Sequence, residues 1–290
     1  MSGPFRKATS IVDKGFSPGA ESNEILSIEI LADGFTYAIL DATQYKYTVL
    51  EHFVADEASG IHSLNDRLLQ SAFNELPWLT RKYQKVYIAW FSPDLVLLPG
   101  EISGFTDQKT LLEYTGQIPD DHAVKTDRLN NLNGFAIYSF PSSVLHLLTS
   151  LFPLHRLRHT GSICIESLLS MLQLENHRPD MILHIRKSSF ELLLFENNRL
   201  IFFQIFNYQY FDDLLYVLFY VLSNFKLEAR NLKLMLLGEI SLDSDRFTRI
   251  SGYFRHVFFA ERSDLFRYAD GFDTIPHHYF YTLLSMNACG

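Results

Sequence analysis

Cysteine is scarce in this 290-residue chain: there are two, Cys164 and Cys289, and neither belongs to a CxxC pair or a Cys/His cluster. That scarcity argues against a disulfide framework and a thiolate zinc site. It suits a reducing compartment, so a cytoplasmic location is expected. Positive charge is also short: 25 Lys+Arg against 33 Asp+Glu leave a formal charge of −8. Nucleic acid and anionic bilayers attract cationic surfaces, so neither is an expected partner. Long apolar runs are missing too. The longest, LLYVLFYVL at 214–222, has nine residues, against about 20 for a spanning helix; a buried helix of a soluble protein is expected. The N-terminus has no apolar core of signal-peptide length, and residues 1–24, mixed with Gly, Pro and Ser, read as a mobile or loosely packed arm. No GxGxxG, GxxxxGK[ST] or GxSxG occurs, and Ser103 in GEISGF lacks the spacing of a nucleophile elbow.

What is present is core-forming. The chain is 47% hydrophobic and 20% charged, which excludes wholesale disorder and allows one large or two ordinary domains. From residue 26 apolar residues alternate, with Asp33 and Gly34 supplying a two-residue hairpin signal in which Gly would tolerate positive φ. A third strand at 46–54, a helix at 61–76 stopped by Pro77, and a strand at 86–91 follow. Residues 92–133 read as an inserted subdomain or an elaborate loop. Strand–helix–strand–helix signals resume at 135–140, 141–152, 155–159 and 162–174, and ENHRPD (175–180) reads as a linker.

The opening pattern then returns. MILHIRKSSFELLLF (181–195) lies over LSIEILADGFTYAIL (26–40) at a constant offset of 155, with its turn at Lys187, Ser188 and Ser189. A strand at 199–206, a helix at 211–225, strands at 232–238 and 256–260, and helices near 243–253 and 275–286 follow. The first copy would span 25–178 and the second 179–290. This fold class is α/β (α+β by some schemes), with an internal duplication.

A doubled βββαβαβα unit with an insertion in its first copy resembles the actin-like ATPase superfamily of RNase H-like domains. The inserted region looks like the extra subdomain of bacterial pilus-assembly and cell-division members. The chain also resembles an uncharacterised bacterial family of actin-like proteins without assigned activity. The resemblance implies an actin-like arrangement in which ATP and Mg²⁺ sit between two domains, with two hairpin turns holding the phosphates. Each first strand of the superfamily ends in an Asp-x-Gly-type motif, because carboxylates organise hydrated Mg²⁺ and Gly lets backbone N–H groups approach phosphate.

Here that motif is replaced by Glu29 and Leu31 in the first copy and by His184 and Arg186 in the second. The family's later Gly-Gly turn keeps Gly238 but has Glu239 next. The expectation is a pseudo-ATPase scaffold or interaction module with an unidentified protein partner, using residues 92–133 and the cleft as contact surfaces. The alternative is a working ATPase with Glu29 and Asp33 as catalytic groups. Under it, Gly34, Lys187, Ser188, Ser189, Gly238 and Glu239 would meet the nucleotide. An RNase H-type nuclease fits less well, since no second carboxylate accompanies Glu29. No metal site is expected. His155/His159 fall on a strand, His277/His278 are adjacent and diverge, and Asp120–Asp121–His122 read as turn chemistry. Asp212 and Asp213 read as helix first-turn anions.

Overall fold

The protein is described by a computed structural model over residues 5–16, 23–55, 64–102, 107–174, 179–197 and 199–288. The chain runs β1 (Phe5–Val12), β2 (Glu24–Leu31), β3 (Gly34–Asp41), β4 (Lys46–Ala55), α1 (Asp66–Glu75), β5 (Lys85–Trp90), β6 (Leu95–Pro99), α2 (Gln108–Glu113), β7 (His122–Leu129), β8 (Gly134–Pro141), α3 (Ser142–Leu151), β9 (His155–His159) and α4 (Thr160–Leu174). It continues through β10 (Met181–Ile185), β11 (Ser189–Glu196), β12 (Arg199–Asn207), α5 (Phe211–Asn224), β13 (Lys233–Gly238), α6 (Asp245–Ser251), β14 (His256–Phe259), β15 (Arg267–Tyr268) and α7 (Tyr281–Ser285). It divides into two compact units. One holds Met1–Ser167, Ser263–Thr274 and Thr282–Gly290; the other holds Leu168–Arg262 and Ile275–Tyr281. The division falls inside α4, while residues 175–178 of the expected linker lie outside the described residues.

Each unit is built on one sheet with the same strand order, β4-β3-β2-β5-β9 in the first and β12-β11-β10-β13-β14 in the second. The duplication holds residue by residue. Leu26 opposes Ile39 and Ile30 opposes Phe35; Met181 opposes Leu194 and Ile185 opposes Phe190, all at the offset of 155. Alternation places Leu26, Ile28, Ile30, Phe35, Tyr37 and Ile39 on one face, every one fully buried. In the second unit Met181, Leu183, Ile185, Phe190, Leu192 and Leu194 pack with Leu214, Leu218 and Leu222 of α5 and Ile250 of α6.

The structure corrects several expectations. Residues 5–12 are not a loose arm; they pair antiparallel with β4 as β1, burying Phe5 and Ile11 while Lys7 bonds the buried Glu51 at 2.6 Å. With only two buried apolar side chains, that strand left little periodic signal. The insertion is larger than 92–133: β8, expected in the main sheet, instead sits between β6 and β7 in a three-stranded sheet. Leu98, Leu112, Ile118 and Ile137 form that subdomain's own core. α1 begins at Asp66, after the extended Asn65 cap, which accepts from Leu68 N–H at 3.0 Å; residues 61–63 lie outside the described residues, as do Ser103 and Cys289. The expected tail helix at 275–286 contracts to α7, and α6 is shorter than 243–253.

Candidate functional site

The two hairpin turns are structural equivalents. In the first, Leu31 opposes Gly34, so the two turn residues are Ala32 and Asp33. In the second, Arg186 N–H bonds Ser189 O at 2.9 Å, leaving Lys187 and Ser188 at the tip. Gly34 therefore begins β3 instead of forming the turn, and Ser189 begins β11. Gly34 is required by proximity: a Cβ there would overlap the carbonyl oxygen of Phe53 on β4. Its φ is not in the left-handed region, so the conformational freedom expected of it is not used.

In the first unit Glu29 is buried on β2, flanked by Thr36 of β3 and Ala89 of β5. Asp33 is half-buried in the turn, and its carbonyl accepts from Ala55 N–H at 2.7 Å. In the second unit the position equivalent to Glu29 is His184, and the position equivalent to Leu31 is Arg186. Both turn to Glu191 of β11: His184 Nδ1 lies 3.0 Å from Oε2, and Arg186 Nη2 donates to Oε1 at 3.4 Å. All three are buried. Burial of a carboxylate is tolerable when cations and hydrogen bonds surround it, so Glu191 is held by protein groups.

The end of β13 joins the second turn. Gly238 lies beside Ile185 in the parallel ladder, and Glu239 N–H bonds Ile185 O at 2.7 Å. The first unit repeats this bond as Phe91 N–H to Ile30 O at 3.0 Å. Gly238 has φ +81°, and a Cβ there would overlap Ile185 O. These are the carboxyl ends of parallel strands, where loops of α/β sheets carry function. Lys187, Ser188 and Glu239 are exposed there. Sequence reasoning missed the surrounding groups. Tyr208 donates to Arg186 O at 2.6 Å, and burial raises its pKa, reinforced by the Glu239 charge and opposed by Arg246. Burial likewise raises Tyr279, again reinforced by Glu239. The signal was available only in three dimensions, since these residues come from the segment after β12, from α6 and from the tail. The arrangement offers a lysine, a serine and an exposed carboxylate at one loop cluster.

The other sequence candidates lie elsewhere. His159 is buried; its Nδ1 accepts from Gly161 N–H at 2.9 Å, and its Nε2 faces Ser92 O at 2.9 Å. Its backbone N–H bonds Asp127, whose carboxyl is raised chiefly by burial. His155 bonds Phe152 O and lines a groove of about 670 Å³ with Lys125 and His146. His278 is buried against Ile240 O, while its neighbour His277 pairs with Glu261 at the surface. Asp213 caps α5 by accepting from Tyr210 N–H at 2.7 Å, and Asp212 pairs with Arg249. Asp120 and Asp121 are exposed just before β7, whose first residue His122 meets Ser139. Cys164 is buried in α4. Among the described residues, no helix is long and apolar enough to cross a membrane.

Comparison with known proteins confirms the fold. A Bacteroides thetaiotaomicron VPI-5482 protein, described as having an actin-like ATPase fold and unknown function, is 21% identical with a TM-score of 0.71. The match covers 82% of this chain and 91% of that one. The PilM–PilN type IV pilus biogenesis complex matches at 12% identity and a TM-score of 0.63, covering 94% of this chain and 100% of that one. No curated protein matches. The chain has the actin-like ATPase fold and, with residues 13–257 matched by the family's model, belongs to the family described as "Protein of unknown function (DUF3822)".

Proposed function

We propose that this protein is a cytoplasmic actin-like scaffold that has lost ordinary ATP hydrolysis and works by binding a protein partner. One observation carries the reading: the buried acid near the second turn, Glu191, is engaged by His184 and Arg186. A carboxylate so engaged is poorly available to hydrated Mg²⁺, and the position expected for a small residue holds an arginine. The kept glycine, Gly238, retains its left-handed backbone, but exposed Glu239 beside it sets negative charge where a phosphate or adenine would approach. The insertion, with its own sheet and core, is the proposed partner surface.

Titration calorimetry with ATP and Mg²⁺ tests this. No Mg²⁺-dependent heat is expected; tight, Mg²⁺-dependent binding would overturn it. The second reading keeps a working ATPase with Glu29 and Asp33 as catalytic groups and rests on the buried carboxylate of Glu29. It predicts phosphate release that Glu29→Gln abolishes, and lack of turnover would count against it.

A further inference from the structure

The two copies differ at one sheet edge. In the first, the outer edge of β4 is covered along its length. β1 pairs with residues 49–55, and β15 pairs with Lys46 and Tyr47. The covering strand also supplies Lys7 and Ser10 to the buried Glu51. In the second copy, β12 ends its sheet, and among the described residues no strand pairs with its outer edge. Tyr208 N–H bonds Ser188 O, and bonding in an antiparallel ladder alternates. The N–H and C=O groups of Phe203 and Ile205 therefore point away from β11. Such an edge is a template for another strand.

The residue at the centre identifies the occupant. Gln204 opposes Leu192 as Glu51 opposes Tyr37, so the two positions are equivalent. Where Glu51 needs a cationic neighbour, Gln204 is uncharged and donates to the outward carbonyl of Ile205 at 3.2 Å. We propose that β12 joins two copies of this chain, antiparallel about a two-fold axis at Gln204, into one continuous sheet. This register sets each Gln204 beside its equivalent, Phe203 against Ile205, and Phe202 against Phe206. An amide both donates and accepts, so Gln204 is complementary to itself, where two glutamates would repel. Residues 200–207 carry no charge and no proline, leaving the edge without the usual protection. The register shift opposite Leu194 and Phe195 ends the regular stretch on one side.

Light scattering on the full chain over a range of concentrations, with amide exchange on the same samples, tests it. The mass should double with concentration while the Phe203 and Ile205 amides slow and the Gln204 amide, directed at β11, does not change. Gln204→Glu, with its circular dichroism unchanged, should weaken the dimer about tenfold or more at neutral pH. A chain that stays monomeric throughout, or a dimer whose Phe203 and Ile205 amides exchange as in the monomer, would overturn the proposal.

Discussion

At the scale of single residues, position 238 shows how little room the second copy allows. A side chain there would meet the Ile185 carbonyl and adopt a φ that L residues avoid. Gly238→Ala should cost about 2–4 kcal/mol in urea denaturation. Gly252→Ala, at a helix end with φ −63° and nearest atoms at 3.5 Å or beyond, should stay within about 1 kcal/mol. The sequence singled out both Gly34 and Gly238, but only the strand register separates their roles: Gly34 yields to a neighbouring backbone, whereas Gly238 also turns the chain. Two histidines supply a pH signature. Burial lowers the pKa of His52, helped by Arg6 and opposed by Asp33, and burial lowers that of His278 despite its bond to Ile240 O. The unfolded chain, with an ordinary pKa of about 6.5, therefore takes up protons before the folded one. These groups leave stability intact above about pH 6.5 and diminish it as pH falls toward their folded values. Unfolding free energy should drop as pH falls below about 6.5, and His52→Gln should make that drop smaller. An unchanged slope would refute the assignment.

At the scale of elements, strong periodicity was readable and weak periodicity was not. The β2–β3 and β10–β11 hairpins are legible because both carry six alternating apolar side chains, although each turn ends one residue earlier than the sequence suggests, since Gly34 and Ser189 already belong to the returning strands. β1 was missed because Lys7 and Ser10 are there to satisfy Glu51, a long-range demand that local pattern cannot express. β8 looked like a core strand, and it is one, but its partners are β6 and β7; hydrophobicity gives burial and not pairing. The acids before α5 were placed in its first turn, where the helix dipole favours them. The structure assigns them separate tasks: Asp213 accepts the Tyr210 and Gln209 amides, and Asp212 meets Arg249. Asp213→Ala should therefore cost about 1 kcal/mol, read as a lower denaturation midpoint at unchanged slope, and Asp212→Ala should cost less, because Asp212 is itself exposed.

At the scale of the molecule, the repeat at offset 155 was legible because each copy must bury the same hairpin face. The distribution of the tail was not, because sequence order alone assigns it to the second copy. The last residues instead join the first unit. Leu284 O accepts from Tyr47 at 2.8 Å, and Asn287 donates to Ser27 and Tyr47 at 3.1 and 2.8 Å. Tyr47 is fully buried and packs with Phe266, Tyr268 and Phe272. Removing residues 282–290 would strip Leu283, Leu284 and Met286 from a core and take the Leu284 and Asn287 hydrogen bonds from the buried Ser27 and Tyr47 hydroxyls. The loss should fall on β2 and β4: their amides should exchange faster in the truncated chain, while those of β10 and β11 keep their protection. Loss of protection in β10 and β11 with β2 and β4 spared would instead return the tail to the second copy.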